Sequence, residues 1–173
     1  GRPIIIVYRP GMVPEPKATV GRWRTWCRDN GIGEIYVVYT QSFDTVDPAE
    51  YGMDAAIEFP PNNSGLAAKS DLVRPILPAQ SEARFYDWSD MAKRFAAAPS
   101  PRYKLHRGVT PQWDNTARRG QSGTVFVGET ASAYSIWLAQ AVSETVASEP
   151  DVQQRLVFIN AWNEWAEGAY LEP

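Results

Sequence analysis

Residues 35–42 read IYVVYTQS, and this stretch decides the class of fold. Its first five residues form a continuous apolar run, which is typical of a strand buried on both faces. Three polar residues follow directly. The same pattern occurs at residues 4–9 (IIIVYR) and 156–160 (LVFIN). We therefore predict buried parallel strands that end in polar side chains.

Stretches with helical periodicity separate the apolar runs. We predict helices over residues 17–30, from an N-cap at Asp87 through Phe95, and from an N-cap at Thr130 through Thr145. Weaker strand patterns cover residues 54–59 and 105–110, a short extended segment covers residues 124–127, and residues 60–83 and 111–123 are predicted loops. This alternation predicts an α/β fold with a parallel sheet of about five strands.

Composition narrows the classes of partner and cofactor. The 173 residues include 17 Lys and Arg and 20 Asp and Glu, so the formal charge of −3 gives no reason to expect nucleic acid or an anionic membrane. The single Cys27 excludes an internal disulfide and a cysteine-based zinc site, and the single His106 leaves no His-rich metal cluster. We expect no cofactor and no metal.

Length and hydropathy bear on organisation. The length predicts a single domain over residues 1–173. No apolar run approaches the ~20 residues of a membrane span, and the apolar run near residue 4 is too short for a signal peptide. We therefore expect a cytoplasmic protein without a membrane span.

Hydrogen-bonding and aromatic side chains follow each predicted strand. The carboxyl ends of parallel strands meet at one edge of a sheet, where functional residues of α/β proteins lie. Sugars need this mixture, because their hydroxyls hydrogen-bond to polar side chains and their C–H faces stack on aromatic rings. The predicted substrate-binding residues are Arg9, Tyr39, Gln41, Glu58, Trp113, Asp114, Asn115, Trp162, Asn163 and Trp165.

Several of these residues have a structural alternative. Arg9 can form a salt bridge, Asp114 and Asn115 can form a turn, and Glu58 needs a partner if it is buried. The pair Arg118-Arg119 is interpreted as solvated, with a contact to an anionic sugar or phosphate as the alternative. The remaining candidates are assigned to packing: Trp23, Trp88, Trp137, His106 and Cys27.

Glu164 and Glu167 are the sharpest chemical feature. They lie three residues apart directly after the last predicted strand. In one helical turn, residues i and i+3 lie on the same side. Two close carboxylates do not ionise independently, so they can divide acid and base roles, as glycoside cleavage requires. A structural role for such a spacing is the alternative, and the position after a strand favours the catalytic one.

A set of ordered segments resembles one family. The segments IIIVYRPG, EIYVVYTQSF, DAAIEFPP, VTPQWDNTARRG, GTVFVG and VFINAWNEWAEGAYLEP resemble glycosyltransferase WbsX-type proteins. These are bacterial proteins associated with lipopolysaccharide or O-antigen synthesis. They are similar to glycoside hydrolase family 99, the endo-α-mannosidases. The resemblance covers nearly the whole chain, and NEWAEG is its most specific motif.

The resemblance implies a (β/α)8 TIM-barrel of the glycosidase type. No segment here matches the Ala-Asn-Glu-Asn-Trp-like end of an earlier strand in that family, so the chain is expected to be the C-terminal portion of a barrel, about strands four to eight. Such a partial barrel leaves two unpaired strand edges, which favour self-association. The implied partner is a glycan.

The resemblance also implies roles for the Glu pair. In the retaining family 99 hydrolases the first Glu acts as a base on the sugar 2-hydroxyl and the second as the acid/base, which assigns these roles to Glu164 and Glu167. Ala166 departs from the hydrolase motif, where a larger polar residue is usual. The expected function is action on glycosidic bonds of a bacterial surface polysaccharide or an α-mannoside-like glycan. The alternatives are a sugar transferase in lipopolysaccharide or O-antigen synthesis and a non-catalytic glycan-binding domain or inactive fragment.

Overall fold

A computed structural model of the protein describes residues 1–69 and 82–172. In chain order the elements are β1 (Ile4–Val7), α1 (Pro16–Asp29), β2 (Tyr36–Thr40), β3 (Ala55–Ile57), β4 (Arg84–Asp87), α2 (Trp88–Ala96), β5 (Leu105–Val109), β6 (Trp113–Asp114), α3 (Thr116–Arg119), β7 (Thr124–Val127), α4 (Ala131–Ser148), β8 (Val157–Ile159), β9 (Asn163–Glu164) and β10 (Ala169–Tyr170). Within this part of the chain, no helix has both the length and the hydropathy needed to cross a membrane.

The main sheet has five strands in the order β1-β2-β3-β5-β8, and every neighbouring pair is parallel. It curls into a half-barrel. The predicted α/β fold with a five-stranded parallel sheet is confirmed. The assignment of these strands to positions four to eight of a complete barrel stays a prediction, and so does self-association through the outermost strands β1 and β8.

Alternation of side chains along the strands gives the sheet two different faces. On the convex face, Val20 and Cys27 of α1 pack with Val37, Tyr39 and other buried apolar residues of the sheet. The concave face carries a smaller cluster centred on Tyr36, Val38, Ala55 and Ile57. At the β1 edge of the concave face, Ile4 and Ile6 are 44% and 51% exposed.

A second core lies under α2 and α4. Trp88 and Trp137 meet edge to face with ring centroids 5.6 Å apart, within a cluster that includes Val109 and Phe126. Both helices start where the sequence predicts. Asp87 accepts a hydrogen bond from the backbone N–H of Asp90 (3.0 Å), and Thr130 accepts one from Ala133 (3.1 Å).

A second sheet, which the sequence pattern does not predict, forms where β7 pairs parallel with β4 and antiparallel with β6. The predicted loop over residues 111–123 is therefore wrong in part, because it contains β6 and α3. Two strand residues are too few to show alternation, and a four-residue helix is too short to show a period. Half of the other predicted loop over residues 60–83, namely residues 70–81, lies outside the described residues.

The concave face contains the only histidine of the chain. His106 Nε2 lies 2.8 Å from Tyr36 Oη, and both side chains are buried. Burial, with a smaller contribution from the Lys104 charge, lowers the pKa of His106 to about 4. His106 is therefore neutral in the fold at neutral pH, which agrees with its predicted structural role.

This placement predicts a pH dependence of stability. The unfolded chain takes up a proton on His106 near pH 6.5 and the folded chain only near pH 4, so this contribution to stability is complete above pH 6.5 and is lost as the pH falls. Between pH 7 and pH 5 the loss is about 2 kcal/mol. Urea unfolding of the wild type and of His106→Gln, which does not titrate, measures it. Equal slopes against pH in both proteins would contradict the assignment.

Candidate active site at the ends of β5 and β8

Two segments distant in sequence meet beyond the carboxyl ends of β5 and β8. Arg118, on α3, forms an ion pair with Glu167 in the turn after β9. Beside this pair, the backbone of Gly168 lies directly against that of Asp114: a Cβ added to Gly168 would come within 2.8 Å of Asp114 O and 2.9 Å of Asp114 N. Because the backbones touch, the two segments are placed relative to each other by shape as well as by charge.

The first segment is held by its own side chains. Asp114 Oδ1 accepts hydrogen bonds from the backbone N–H of Thr116 (2.9 Å) and from its hydroxyl (2.6 Å). The buried Asn115 accepts a bond from the backbone N–H of Thr124 (2.7 Å), which ties the start of α3 to β7. These bonds form the predicted turn at Asp114 and Asn115, and they fix the start of α3, which carries Arg118.

The second segment is a short hairpin with a helical turn at its tip. Glu164 pairs with Ala169 across β9 and β10, and Trp165–Glu167 form one turn of 3-10 helix between them. Glu167 lies in this turn, whereas Glu164 precedes it on β9 with non-helical backbone angles, so the predicted placement of both carboxylates on one side of a helical turn stays a prediction. Gly168 ends the turn with φ +56°, a conformation that favours glycine.

A cleft of about 630 Å³ lies next to these segments, within the size range of small-ligand pockets. One wall is aromatic, because Trp165 and Tyr170 stack with centroids 4.3 Å apart and a tilt of 23°. Polar atoms of Gln112, Asp114 and Glu129 belong to the same lining. The cleft therefore offers the stacking surface and the hydrogen-bonding groups that a sugar ring needs.

The Arg118–Glu167 pair joins a half-exposed guanidinium to a carboxylate that is only 17% exposed. A neighbouring positive charge favours the ionised form of a carboxylate. Glu164, by contrast, is exposed on β9 and has no ion pair among the described residues. The two carboxylates thus occupy different environments, Glu167 largely covered and paired with Arg118, and Glu164 exposed.

Four more of the predicted residues lie at open strand ends. Arg9 follows β1 and is exposed, and Trp162 and Asn163 follow β8 and are exposed. Gln41 follows β2 but is buried, where its amide donates to Tyr103 Oη (2.7 Å). Their predicted contacts with substrate stay predictions.

Two predicted binding residues, Tyr39 and Glu58, are buried on the helix-covered face of the sheet. Tyr39 packs among the convex-face core and donates a hydrogen bond to Val46 O. Glu58 also faces the helix layer, where it accepts bonds from Arg107 (2.7 Å) and from the backbone N–H of Gly108 (3.1 Å). Burial raises the pKa of Glu58, and Arg107 opposes this rise. Neither Tyr39 nor Glu58 faces the cleft, because side chains alternate along a strand and these two lie on the convex, helix-covered face of the sheet.

Trp113 belongs to the second core, with 6% of its surface exposed, although part of it lines the cleft.

Three residues of the site were not predicted from the sequence: Arg118, which was interpreted as solvated, Gln112 and Tyr170. Gln112 could have been predicted because it is a polar residue directly before Trp113. Tyr170 could have been predicted because it is an aromatic residue two positions after Gly168. Among the described residues, no three His, Cys, Asp or Glu side chains cluster as metal ligands.

Comparison with known proteins gives a family, two relatives and a fold neighbour. A family model described as glycosyltransferase WbsX matches residues 1–173. Curated relatives from two strains of Xanthomonas campestris pv. campestris, both titled "Uncharacterized protein WxcX", are 46% identical over 175 residues, or 99% of this chain. The chain spans only 24% of their length. A solved structure titled "Glycoside hydrolase-like protein" superposes with a TM-score of 0.61 over 99% of this chain and 47% of its own; at 15% identity this likeness shows the fold alone.

The backbone contact at Gly168 predicts the cost of a methyl group. Gly168→Ala adds a Cβ against Asp114 at a positive φ, so we expect a loss of about 1–3 kcal/mol in the free energy of unfolding. Gly21→Ala is the matched control, because its added Cβ meets nothing within 4 Å on α1 and should stabilise by about 0.5–1 kcal/mol. Urea unfolding measures both; equal effects would show that the backbones do not touch.

The ion pair predicts a measurable coupling. A double-mutant cycle of Arg118→Met and Glu167→Gln should give a coupling free energy of about 0.5–1 kcal/mol, as expected for a partly exposed pair. The same cycle with Arg119→Met, whose side chain has no ion pair with Glu167, should be additive within about 0.3 kcal/mol. If the effects are additive in both cycles, Arg118 and Glu167 do not interact energetically, and the prediction is wrong.

Proposed function

The chain belongs to the glycosyltransferase WbsX family, and from this premise we propose that it carries the carboxylate pair of a carbohydrate-active enzyme. The proposed substrate is a bacterial surface polysaccharide or an α-mannoside-like glycan. The observation that carries the proposal is that Glu164, at the end of β9, and Glu167, in the turn that follows, are the chain neighbours of Trp165 and Gly168, which line the aromatic-walled cleft, although neither carboxylate lines it. A module that only binds glycans has no need of two adjacent acids there.

For hydrolysis, we propose a retaining mechanism in two steps. Glu164 removes the proton of the sugar 2-hydroxyl, whose oxygen attacks C1 while Glu167 protonates the departing glycosidic oxygen. Water then opens the resulting 1,2-anhydro sugar at C1, with Glu167 removing a proton from the water and Glu164 returning one to O2. Two inversions at C1 give overall retention.

The ion pair places a condition on this mechanism. Glu167 must carry a proton to act as an acid, whereas the adjacent Arg118 favours its ionised form. We therefore propose that glycan binding separates Arg118 from Glu167. A sugar hydroxyl or a further anionic group of the substrate would then take over the guanidinium.

Transfer of a sugar from an activated donor is the second candidate, and the same ion pair favours it. An acceptor hydroxyl must lose a proton when it attacks the donor sugar, and an ionised Glu167 is ready to take that proton. No separation from Arg118 is needed before this step. The two candidates differ in whether Glu167 starts as an acid or as a base.

Substitution of the two carboxylates tests their catalytic roles. Glu164→Gln and Glu167→Gln, made in a longer family protein that contains this chain, should each lower turnover by about 10²–10⁴-fold, since they remove a proton-transfer group. Glu172→Gln, a carboxylate outside the turn, should retain activity. A loss below about tenfold in both site variants would remove the assignment.

The same assay separates hydrolysis from transfer. Wild-type protein is offered α-mannosides alone and nucleotide sugars with an acceptor glycan. Release of free sugar without a nucleotide donor would support hydrolysis, and strict dependence on the donor would replace it by transfer.

A further inference from the structure

An exposed cluster of three aromatic rings and one guanidinium lies at the carboxyl ends of β1, β2 and β3. Tyr8 meets Phe43 and Phe59 edge to face, with centroids 5.5 Å and 5.7 Å apart. Arg9 lies with Cζ 4.1 Å from the centroid of Phe43, within cation–π distance. About half of the surface of Tyr8 and of Phe43 remains exposed, at 49% and 54%. We call Tyr8, Arg9, Phe43 and Phe59 the aromatic cluster.

Partly buried hydrogen bonds join the loops that carry the aromatic cluster. Asn62 and Asn63, after Phe59, donate to the backbone oxygens of Ser42 (3.0 Å) and Gln41 (2.6 Å), before Phe43. The hydroxyls of Thr40 and Ser42 lie 2.8 Å apart beneath these bonds. The exposed rings therefore stand on a fixed base, which lowers the entropic cost of binding a ligand to them.

The guanidinium of Arg9 has no acidic partner in the described part of the chain. Its only polar contact there is a weak one, from Nη1 to Met12 Sδ at 3.8 Å. Asp44, the acidic residue next to Phe43 in sequence, is engaged by the Tyr51 hydroxyl (3.2 Å) and the Val46 amide (3.3 Å). Arg9 thus forms no salt bridge with any residue of 1–69 or 82–172, and its planar fork of N–H donors is presented beside exposed rings.

We propose that the aromatic cluster is a subsite for an oxyanion carried by a sugar. The shared chemistry is a planar or tetrahedral oxyanion that accepts paired N–H bonds from Arg9 while the attached sugar stacks on Phe43 and Tyr8. Its source is either the carboxylate of a uronic acid in the glycan or the diphosphate of an activated sugar. The glycan nature of the ligand rests on the proposed function, whereas the anion contact rests on Arg9 alone.

The aromatic cluster is separate from the carboxylate pair. β1 and β8 are opposite edges of the sheet, four strand spacings or roughly 19 Å apart along its curve. An anionic group bound at Arg9 therefore belongs to a different part of the ligand from the bond that Glu164 and Glu167 act on. The subsite would select acidic substrates without taking part in the chemistry.

Binding to this chain tests the proposal without requiring turnover. Backbone amide and Arg Nε–H signals are followed by NMR at constant ionic strength during titration with methyl β-D-glucuronide, with methyl β-D-glucoside and with inorganic pyrophosphate. The first two probes differ only in the carboxylate. We expect the glucuronide to bind about three- to tenfold more tightly than the glucoside, or pyrophosphate to bind with shifts centred on Arg9 and Phe43.

Variants identify the residues responsible. Arg9→Gln should abolish the preference for the anionic probe, and Phe43→Ala should weaken both methyl glycosides. Arg22→Gln, an exposed arginine on α1, is the control and should change neither. Because Arg9 is exposed, an unchanged urea midpoint checks that Arg9→Gln remains folded.

The outcomes are distinct. If Arg9-dependent binding favours glucuronide over glucoside, the oxyanion comes from an acidic glycan. If Arg9-dependent binding is seen only with pyrophosphate, the oxyanion comes from an activated sugar. Equal binding of glucuronide and glucoside together with no pyrophosphate binding, or anion-induced shifts at Phe43 that survive Arg9→Gln, would overturn the proposal. Glu164→Gln and Glu167→Gln should bind the probes like the wild type, so failure of the proposed catalysis leaves this result intact.

Discussion

The contact between the backbones of Gly168 and Asp114 is the constraint on which the candidate site depends. It brings the turn after β9 against the segment before α3, and only then does Arg118 reach Glu167. The hydrogen bonds of Asp114 and Asn115 fix one side of this contact, and the hairpin of β9 and β10 fixes the other. The charged pair is thus a consequence of close backbone packing, and a chain with any side chain at position 168 would have to open it.

The curled parallel sheet explains why chemistry gathers at one edge. Side chains inside the strands alternate between the helix-covered convex face and the concave face, so polar groups that must meet a ligand are left to the segments beyond the strand ends. The aromatic cluster lies after β1–β3, and Glu164 and Glu167 lie after β8, so they are at opposite ends of the sheet edge formed by the carboxyl ends of the strands. A ligand that reaches both must be extended or made of two parts, which suits a polysaccharide and also a donor with an acceptor.

Much of this arrangement could be predicted from sequence, and the exceptions have physical causes. The run Ile35–Tyr39 identified a buried strand because every residue in it is apolar, and Glu164 and Glu167 were found because they directly follow such a run. Arg118 was missed because its partner is 49 residues away and is set by tertiary packing. Tyr39 and Glu58 were predicted at the site because they are polar or aromatic near a strand end. The face of the sheet on which each of these side chains lies depends on the strand register, which the sequence alone does not specify.

The anomeric configuration of the first product tests the central claim most directly, because it reports how the carboxylate pair acts at C1. A longer family protein that contains this chain is mixed with an α-linked substrate, and the product is recorded by proton NMR before mutarotation. For hydrolysis, the proposed two-step mechanism predicts that the configuration of the cleaved bond is retained, as two successive inversions require. A product of inverted configuration would contradict the proposed roles of Glu164 and Glu167.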